Sequence, residues 1–301
     1  MDFFERLKRT NERNEGLACV SLDKFTTLRV GGPADYFAEP GSEEELRTLI
    51  RMAKEANVPL LLLGNGSNVL VRDGGFRGLA IRLGKAFSAV ERKGDCLYAQ
   101  AGALLSVLAR QAQETSLTGL EFAQGIPGSV GGGVYMNAGA YGGELGPLID
   151  FVRVLEGETI RDIPAAEMDF SYRHTRAMEE SWVILGAQFR LRPGDPEKIE
   201  AAMKDYAARR REKQPLEYPS AGSFFKRPAG HFAGALIEGA GLKGLTVGGA
   251  QVSEKHAGFL INIGGATASD FLELMKQVQT KVMEKYGVQL EPEVRIVGED
   301  K

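Results

Sequence analysis

Residues 119–143 read GLEFAQGIPGSVGGGVYMNAGAYGG, a glycine-rich segment that also carries bulky apolar side chains, Ser129 and Asn137. Glycine lets a backbone approach a ligand closely, and a row of its N–H groups can form a concave site for an anion. A flexible linker is rich in Gly and Ser without bulky residues, whereas this segment contains Leu120, Phe122 and Tyr135. The pattern therefore predicts a folded loop that binds phosphate.

The composition is that of a globular protein with two or three domains, since 43% of the 301 residues are hydrophobic and 26% are charged. The net charge of −3, with both signs interspersed, favours small-molecule partners over nucleic acid or a membrane surface. No apolar run reaches the roughly 20 residues of a spanning helix, and residues 1–16 are charged without a signal-peptide core. We therefore expect a cytoplasmic protein.

Cysteine and histidine, which often carry chemistry, are scarce. Cys19 and Cys96 lie far apart without a Cys-x-x-Cys pair, so we expect two buried thiols with no redox role. The histidines are His174, His231 and His256, and none has a partner at metal-ligand spacing. The sequence therefore predicts no metal site.

Local patterns predict both helices and strands. Ser42 and Glu45 have capping-box spacing before a helix over residues 42–56, and short strands over 60–63 and 69–71 flank a glycine turn. Further helices are predicted over residues 104–115, 197–213 and 269–286, the last of them stopped by Gly287. Because helices and strands intermingle without a regular βαβα order, we predict the α+β class.

Two glycine segments, residues 64–68 and 125–137, match neither common phosphate-binding motif. Gly64-x-Gly66 follows a strand, but position 69 is valine and no helix opens there, so the dinucleotide fingerprint fails. The longer segment lacks the Lys-Ser/Thr end of a Walker A loop. Together they predict a site for the two phosphates of one extended dinucleotide, with side-chain hydrogen bonds from Ser67, Asn68, Ser129 and Asn137.

Five motifs occur together in a family-specific order. They are TTLRVGGPA at 26–34, LGNGSNVLV at 63–71, GIPGSVGG at 125–132, AGSFFKRP at 221–228 and LEPEVRIVG at 290–298. In this combination the chain resembles the MurB family, the UDP-N-acetylmuramate dehydrogenases, which are flavoenzymes of cell-wall precursor synthesis. The resemblance covers nearly the whole chain.

The resemblance implies an FAD-binding domain of the vanillyl-alcohol-oxidase (PCMH-type) fold in two subdomains, residues 1–84 and 85–207. An α+β domain for the UDP-sugar follows over residues 208–291, and residues 292–301 return to the active-site region. The chain resembles the shorter, type II members of the family. Longer members carry a loop with a substrate-capping tyrosine, which this chain lacks, and they have asparagine at the position of Arg227.

The resemblance also implies a set of FAD-binding residues. No histidine or cysteine lies in either glycine segment, so we expect noncovalent FAD. The implied FAD-binding residues are Arg29, Gly64, Asn65, Gly66, Ser67, Asn68, Gly125, Ile126, Pro127, Gly128, Ser129, Gly131, Gly132 and Asn137.

The implied reaction reduces the enolpyruvyl ether of UDP-N-acetylglucosamine to a lactyl ether, with NADPH as reductant and FAD as the hydride carrier. Arg173 matches the family's cationic stabiliser of the substrate carboxylate, Glu293 its catalytic glutamate, and Ser223 its proton donor. Lys213, Arg227 and His256 fall at substrate-binding positions.

Two other functions remain open at this stage. Another flavin oxidoreductase of the same fold, using oxygen, would keep the glycine segments but would not need Arg173, Ser223 and Glu293. A non-catalytic sensor of nucleotide sugars is the second alternative.

Overall fold

The computed structural model describes residues 2–10 and 17–301. Its α-helices are α1 Phe3–Thr10, α2 Glu43–Glu55, α3 Leu105–Glu114, α4 Val130–Tyr135, α5 Pro196–Lys213, α6 Ala233–Gly239 and α7 Ala268–Tyr286. Short 3-10 turns span Leu22–Phe25, Lys85–Phe87, Glu121–Gly125, Gly146–Leu148, Ala165–Glu167 and Arg176–Met178. Among the described helices, none is both long and apolar enough to cross a membrane.

The strands are mostly short. They are β1 Leu17–Ser21, β2 Pro33–Ala38, β3 Leu60–Leu63, β4 Val69–Val71, β5 Phe76–Arg82, β6 Val90–Lys93, β7 Cys96–Gln100, β8 Leu117–Thr118, β9 Gly139–Ala140, β10 Gly143–Glu144, β11 Ile149–Glu156, β12 Thr159–Pro164, β13 Val183–Arg190, β14 Arg192–Pro193, β15 Ser220–Ser223, β16 Thr246–Val247, β17 Ala250–Val252, β18 Phe259–Asn262 and β19 Arg295–Val297. The larger sheets have the orders β1-β2-β5-β3, β12-β11-β13-β7-β6 and β15-β18-β17-β16. Helices and strands are thus mixed, and the α+β class is confirmed.

The chain forms two compact units. The first comprises Met1–Ala18, Tyr36–Asn65 and Leu79–Arg210, and the second Cys19–Asp35, Gly66–Gly78 and Arg211–Lys301. The end of the first unit at Arg210 lies close to the predicted boundary after residue 207. The three-domain division, with boundaries after 84 and 207, stays a prediction.

An antiparallel five-stranded sheet forms the framework of the first unit, in the order β12-β11-β13-β7-β6. Alternate residues of its strands, such as Val152 and Val154 of β11, are fully buried and pack in one core with Leu105 and Leu108 of α3. Helix α4 contributes Val130 to the same core. The glycine segment is therefore held on the buried side of a sheet.

An antiparallel four-stranded sheet, β15-β18-β17-β16, forms the framework of the second unit. Helix α7 buries Phe271, Leu274 and Val278, which recur at helical spacing, against this sheet's core. The C-terminal strand β19 pairs in parallel with β4, with Arg295 opposite Val69.

Helices α2 and α7 lie where the sequence predicts them, to within one residue at each end. Ser42 Oγ accepts a hydrogen bond from the N–H of Glu45 at 3.2 Å, as an N-cap does. At the other end of the chain, Thr267 and Asp270 form a capping box at the start of α7. Gly287 ends that helix in the left-handed conformation, with φ +65.

Two expectations need correction, and one lies partly outside the described residues. The segment 119–143 is not a loop throughout, because α4 and β9 lie within it and β10 begins at its last residue. Cys19 is exposed and Cys96 half-buried, so the expectation of two buried thiols is wrong. Of the charged stretch 1–16, residues 3–10 form α1, and residues 1 and 11–16 lie outside the described part of the chain.

Candidate functional site

The first unit brings residues of the two glycine segments together. Asn65 Nδ2 donates a 2.6 Å hydrogen bond to the carbonyl of Pro127. A methyl carbon placed on Gly64 would overlap Oγ of Ser129, so a side chain at this position would have to displace the Ser129 hydroxyl. The structure thus places Gly64 and Asn65 of one segment beside Pro127 and Ser129 of the other, and their joint binding of phosphate stays a prediction.

Backbone N–H groups at this junction have no protein acceptor. Among the hydrogen bonds of residues 2–10 and 17–301, none is donated by the N–H of Gly64, Asn65, Gly128 or Ser129. Gly128 and Ser129 are buried residues, and a buried N–H without a partner is costly. The residues present therefore fit an oxyanion ligand, such as the diphosphate of FAD.

Ser129 and Asn137 use their side chains within the protein. Ser129 Oγ caps α4 by accepting from the N–H of Gly132 at 3.4 Å. Asn137 is 1% exposed; its Nδ2 donates to the carbonyl of Ser171 at 3.0 Å, and its Oδ1 accepts from the N–H of Gly146 at 2.8 Å. These bonds favour a structural contribution from both side chains, and the predicted side-chain hydrogen bonds to FAD stay a prediction.

Arg173 lies at the tip of a tight turn in the first unit. Ser171 and His174 exchange two backbone hydrogen bonds of 3.2 Å, and Arg173 between them has φ +57. Its guanidinium donates to the carbonyls of Asn137 and Gly139, both at 3.5 Å. The turn thus holds a half-buried cation against the glycine segment.

In the second unit, Gly66 packs against residues 25–27, which precede Arg29. Gly66 has φ +60, and a methyl carbon on it would overlap the carbonyl oxygen of Phe25. The N–H of Thr27 donates to the carbonyl of Gly66 at 3.1 Å. Two residues further on, Arg29 has φ +56 and an exposed side chain. Arg29 therefore lies two residues from a hydrogen bond to the glycine turn, and its predicted contact with FAD stays a prediction.

Ser223 and Glu293 lie on neighbouring segments of the second unit. Ser223 ends β15 with an exposed side chain, and the N–H of Glu293 donates to the carbonyl of the next residue, Phe224, at 2.8 Å. Asn68 Nδ2 donates to the carbonyl of Glu293 at 3.1 Å. The structure thus brings the predicted acid, the predicted proton donor and the end of the glycine turn 64–68 into one region.

The three predicted substrate residues have different surroundings. Lys213 is the exposed last residue of α5, and the exposed guanidinium of Arg227 lies 3.8 Å from the ring centroid of Phe232. His256 is half-buried, and its Nδ1 accepts from the N–H of Gly258 at 3.1 Å, which leaves Nε2 for the proton. Burial lowers the pKa of His256. The histidine is therefore a neutral donor at pH 7.

Two buried polar residues near these segments were missed from the sequence. Thr175 is fully buried and donates to the carbonyl of Tyr135 at 3.0 Å, which ties the Arg173 turn to α4. Asn262, 8% exposed, donates to the carbonyl of Leu28 at 3.1 Å. Asn262 could have been predicted, because a polar residue at the end of the otherwise apolar strand sequence FLIN indicates a buried hydrogen bond.

Family profiles match both parts of the chain. A profile described as "FAD binding domain" matches residues 34–157. A profile described as "UDP-N-acetylenolpyruvoylglucosamine reductase, C-terminal domain" matches residues 214–297.

Individual proteins are similar over nearly the full length. A UDP-N-acetylenolpyruvoylglucosamine reductase of Clostridium novyi (strain NT) is 48% identical, covering 100% of this chain and 98% of the relative. One of Agathobacter rectalis is 51% identical, covering 92% of each chain. The crystal structure of the reductase (MurB) from Thermus caldophilus superposes with a TM-score of 0.82 at 36% identity, covering 93% of this chain and 98% of that one.

Proposed function

This chain belongs to the UDP-N-acetylenolpyruvoylglucosamine reductase family, and on that premise we propose which of its residues carry the reaction. The protein is an FAD-dependent oxidoreductase that reduces UDP-N-acetylglucosamine enolpyruvate to UDP-N-acetylmuramate with NADPH, a step of peptidoglycan precursor synthesis. Bound FAD supplies the hydride transfer from NADPH to the vinyl group. The observation that carries the site assignment is the pairing of the two glycine segments at Gly64 and Ser129.

Arg173 is the proposed partner of the substrate carboxylate. Adding hydride to the terminal alkene carbon places carbanion character on the neighbouring carbon, from which it spreads into a carboxylate that is already charged. A guanidinium binds that carboxylate through two parallel hydrogen bonds and keeps its charge at any physiological pH. The turn and the contacts to the carbonyls of Asn137 and Gly139 support this role, because they fix the direction of the arginine.

Ser223 and Glu293 complete the proposed catalytic set. Glu293 donates a hydrogen bond to the substrate carboxylate as charge develops, which requires its protonated form. Ser223 delivers the proton to the carbanion carbon, a task open to a serine hydroxyl because the developing enolate is strongly basic. The exposed position of Ser223 at the end of β15, one residue from the bond between Phe224 and Glu293, supports a shared role.

Lys213, Arg227 and His256 are proposed to bind the UDP-sugar. Lys213 and Arg227 supply cations for its phosphates, and His256 supplies a neutral N–H donor. The amides of Gly64, Asn65, Gly128 and Ser129, with the remaining residues of both glycine segments and Arg29, are proposed to bind FAD noncovalently. Both substrates are charged nucleotides made inside the cell, which supports a cytoplasmic enzyme with small-molecule partners.

The purified protein tests this function directly. We expect yellow protein whose FAD is released by denaturation, and NADPH oxidation that depends on the enolpyruvyl UDP-sugar. Oxygen consumption without that substrate would favour a flavin oxidase of the same fold instead. Yellow protein that binds the UDP-sugar without turning it over would favour a sensor. Colourless protein that takes up no FAD would refute the flavin assignment.

A further inference from the structure

Arg210 carries a positive charge against the glycine segment of the first unit. It belongs to α5, and its side chain is half-buried. A methyl carbon placed on Gly125 would lie 2.9 Å from both Cδ and Nη1 of Arg210. The absence of a side chain at Gly125 therefore makes room for this guanidinium on the backbone of the segment.

Within the described ranges, the side chain of Arg210 forms no hydrogen bond and no ion pair. Its neighbour Arg209, by contrast, pairs with Asp205 one turn back at 2.8 Å. The residue one turn before Arg210 is Tyr206, whose ring stacks on that of Tyr141 with centroids 4.8 Å apart. The residue one helical turn before Arg209 is therefore an aspartate, whereas the residue one turn before Arg210 is a tyrosine.

A half-buried cation without a counter-charge is costly. Burial lowers the pKa of Arg210, with a small opposing effect of Tyr141, but a guanidinium still stays protonated at neutral pH. A half-buried guanidinium that has N–H donors and no protein acceptor fits an anionic ligand group.

We propose that Arg210 binds a phosphate group of one of the nucleotides that this enzyme uses. The inference rests on the proposed function, which supplies three phosphorylated nucleotides: FAD, NADPH and the UDP-sugar. A guanidinium binds phosphate through paired N–H donors, and the glycine segment adds backbone donors nearby. The chemistry is the same for all three sources, so the experiment must distinguish them.

The test compares Arg210→Gln and Arg210→Lys with the matched control Arg209→Gln, which removes the adjacent, carboxylate-paired guanidinium. For each protein one measures the FAD content, the calorimetric Kd for NADP⁺ and for UDP, and the two KM values. Loss of a charge-assisted hydrogen bond to phosphate weakens binding about 10- to 100-fold. We expect Arg210→Gln to show this loss for one nucleotide, Arg210→Lys a smaller loss, and Arg209→Gln a change below about twofold.

The affected nucleotide identifies the source of the phosphate: a fall in FAD content assigns it to FAD, a higher Kd for NADP⁺ to NADPH, and a higher Kd for UDP to the UDP-sugar. Unchanged binding of all three in Arg210→Gln would overturn the proposal, as would a loss equal to that of Arg209→Gln. If Arg210→Gln does not fold, Arg210→Met, which also removes the charge, takes its place, and unchanged binding of all three nucleotides in that variant would overturn the proposal. The Kd values are measured without turnover. A wild-type protein that fails to catalyse the proposed reaction is therefore distinguished from an Arg210 that fails to bind phosphate.

Discussion

Replacing Asn137 with alanine or with glycine separates two contributions to the glycine segment. The side chain accepts a 2.8 Å bond from the N–H of Gly146 and donates a 3.0 Å bond to the carbonyl of Ser171. The backbone has φ +41, a conformation that costs a residue with a Cβ more than it costs glycine. Both variants lose the hydrogen bonds, but only alanine keeps the conformational cost.

The expected losses follow from these contacts. The buried N–H of Gly146 is left unsatisfied, at about 1 to 3 kcal/mol, whereas the carbonyl of the exposed Ser171 keeps the hydrogen bond from the N–H of His174 and loses only about 0.5 kcal/mol, so the bonds together contribute roughly 2 to 3 kcal/mol. The left-handed conformation adds about 1 kcal/mol for alanine, which lacks the local side-chain hydrogen bonds that help Asn adopt it. We therefore expect Asn137→Ala to lose about 3 to 4 kcal/mol and Asn137→Gly about 1 kcal/mol less.

Urea unfolding of the FAD-loaded protein, followed by far-UV circular dichroism, measures these losses. Because Arg173 donates to the carbonyl of Asn137, both variants should also slow reoxidation of the reduced flavin by the enolpyruvyl substrate more than its reduction by NADPH. Equal losses for Ala and Gly would refute the conformational argument. A loss below about 1 kcal/mol in both would refute the hydrogen-bond argument.

Two further predictions concern other junctions. Gly64→Ala should lower the melting temperature and the FAD content, because its methyl group overlaps Oγ of Ser129. The double variant that adds Ser129→Gly should recover most of the melting temperature. A double variant that recovers none of it would contradict the steric explanation. Burial raises the pKa of Asp73, but hydrogen bonds from the Ser269 hydroxyl and from the N–H groups of Ala268 and Ser269 outweigh it, so the pKa lies below its usual 3.8. The ionised carboxylate therefore stabilises the fold above pH 3.8, and this contribution falls as the pH drops below that value. Asp73→Asn should lower the free energy of unfolding by about 1 to 2 kcal/mol at pH 7 and by progressively less in acid. A difference that does not change with pH would contradict this.

Helices with strong local signals were predictable from the sequence. In α2 the Ser42 cap and the spacing of Leu46, Leu49 and Ala53 agree, and all three apolar residues are fully buried. In α7 the Gly287 stop was predicted in the same way, whereas the Thr267 cap lies two residues before the predicted start. Where the capping residue, the spacing of apolar residues and the terminating residue all indicate the same helix, the local preferences agree with the tertiary packing.

Helix α4 could not be predicted because its residues disfavour a helix. VGGGVY combines three glycines with β-branched valine and tyrosine. Tertiary packing reverses that preference: a methyl carbon on Gly131 would lie 2.8 Å from Cβ of Ala101, and one on Gly133 2.9 Å from Leu105. The glycines therefore allow the helix to pack closely against its neighbours. From the sequence alone, the same glycines indicate only that something approaches the backbone closely.

The candidate site was predictable in part. The motif resemblance named Ser223 and Glu293, and the backbone places them on neighbouring segments. It did not name Arg210, because an arginine in a charged helix is usually solvated. Only the coordinates show that this arginine lies against Gly125 while its neighbour Arg209 pairs with Asp205.

The most direct test of the proposed chemistry is a stopped-flow comparison of the two half-reactions in FAD-loaded Ser223→Ala. Serine is assigned only to protonation of the substrate, so NADPH should bleach the flavin at a rate within about twofold of the wild type. Reoxidation by the enolpyruvyl UDP-sugar should be slower by about 10² to 10⁴. Equal slowing of both half-reactions, or wild-type reoxidation, would contradict the account.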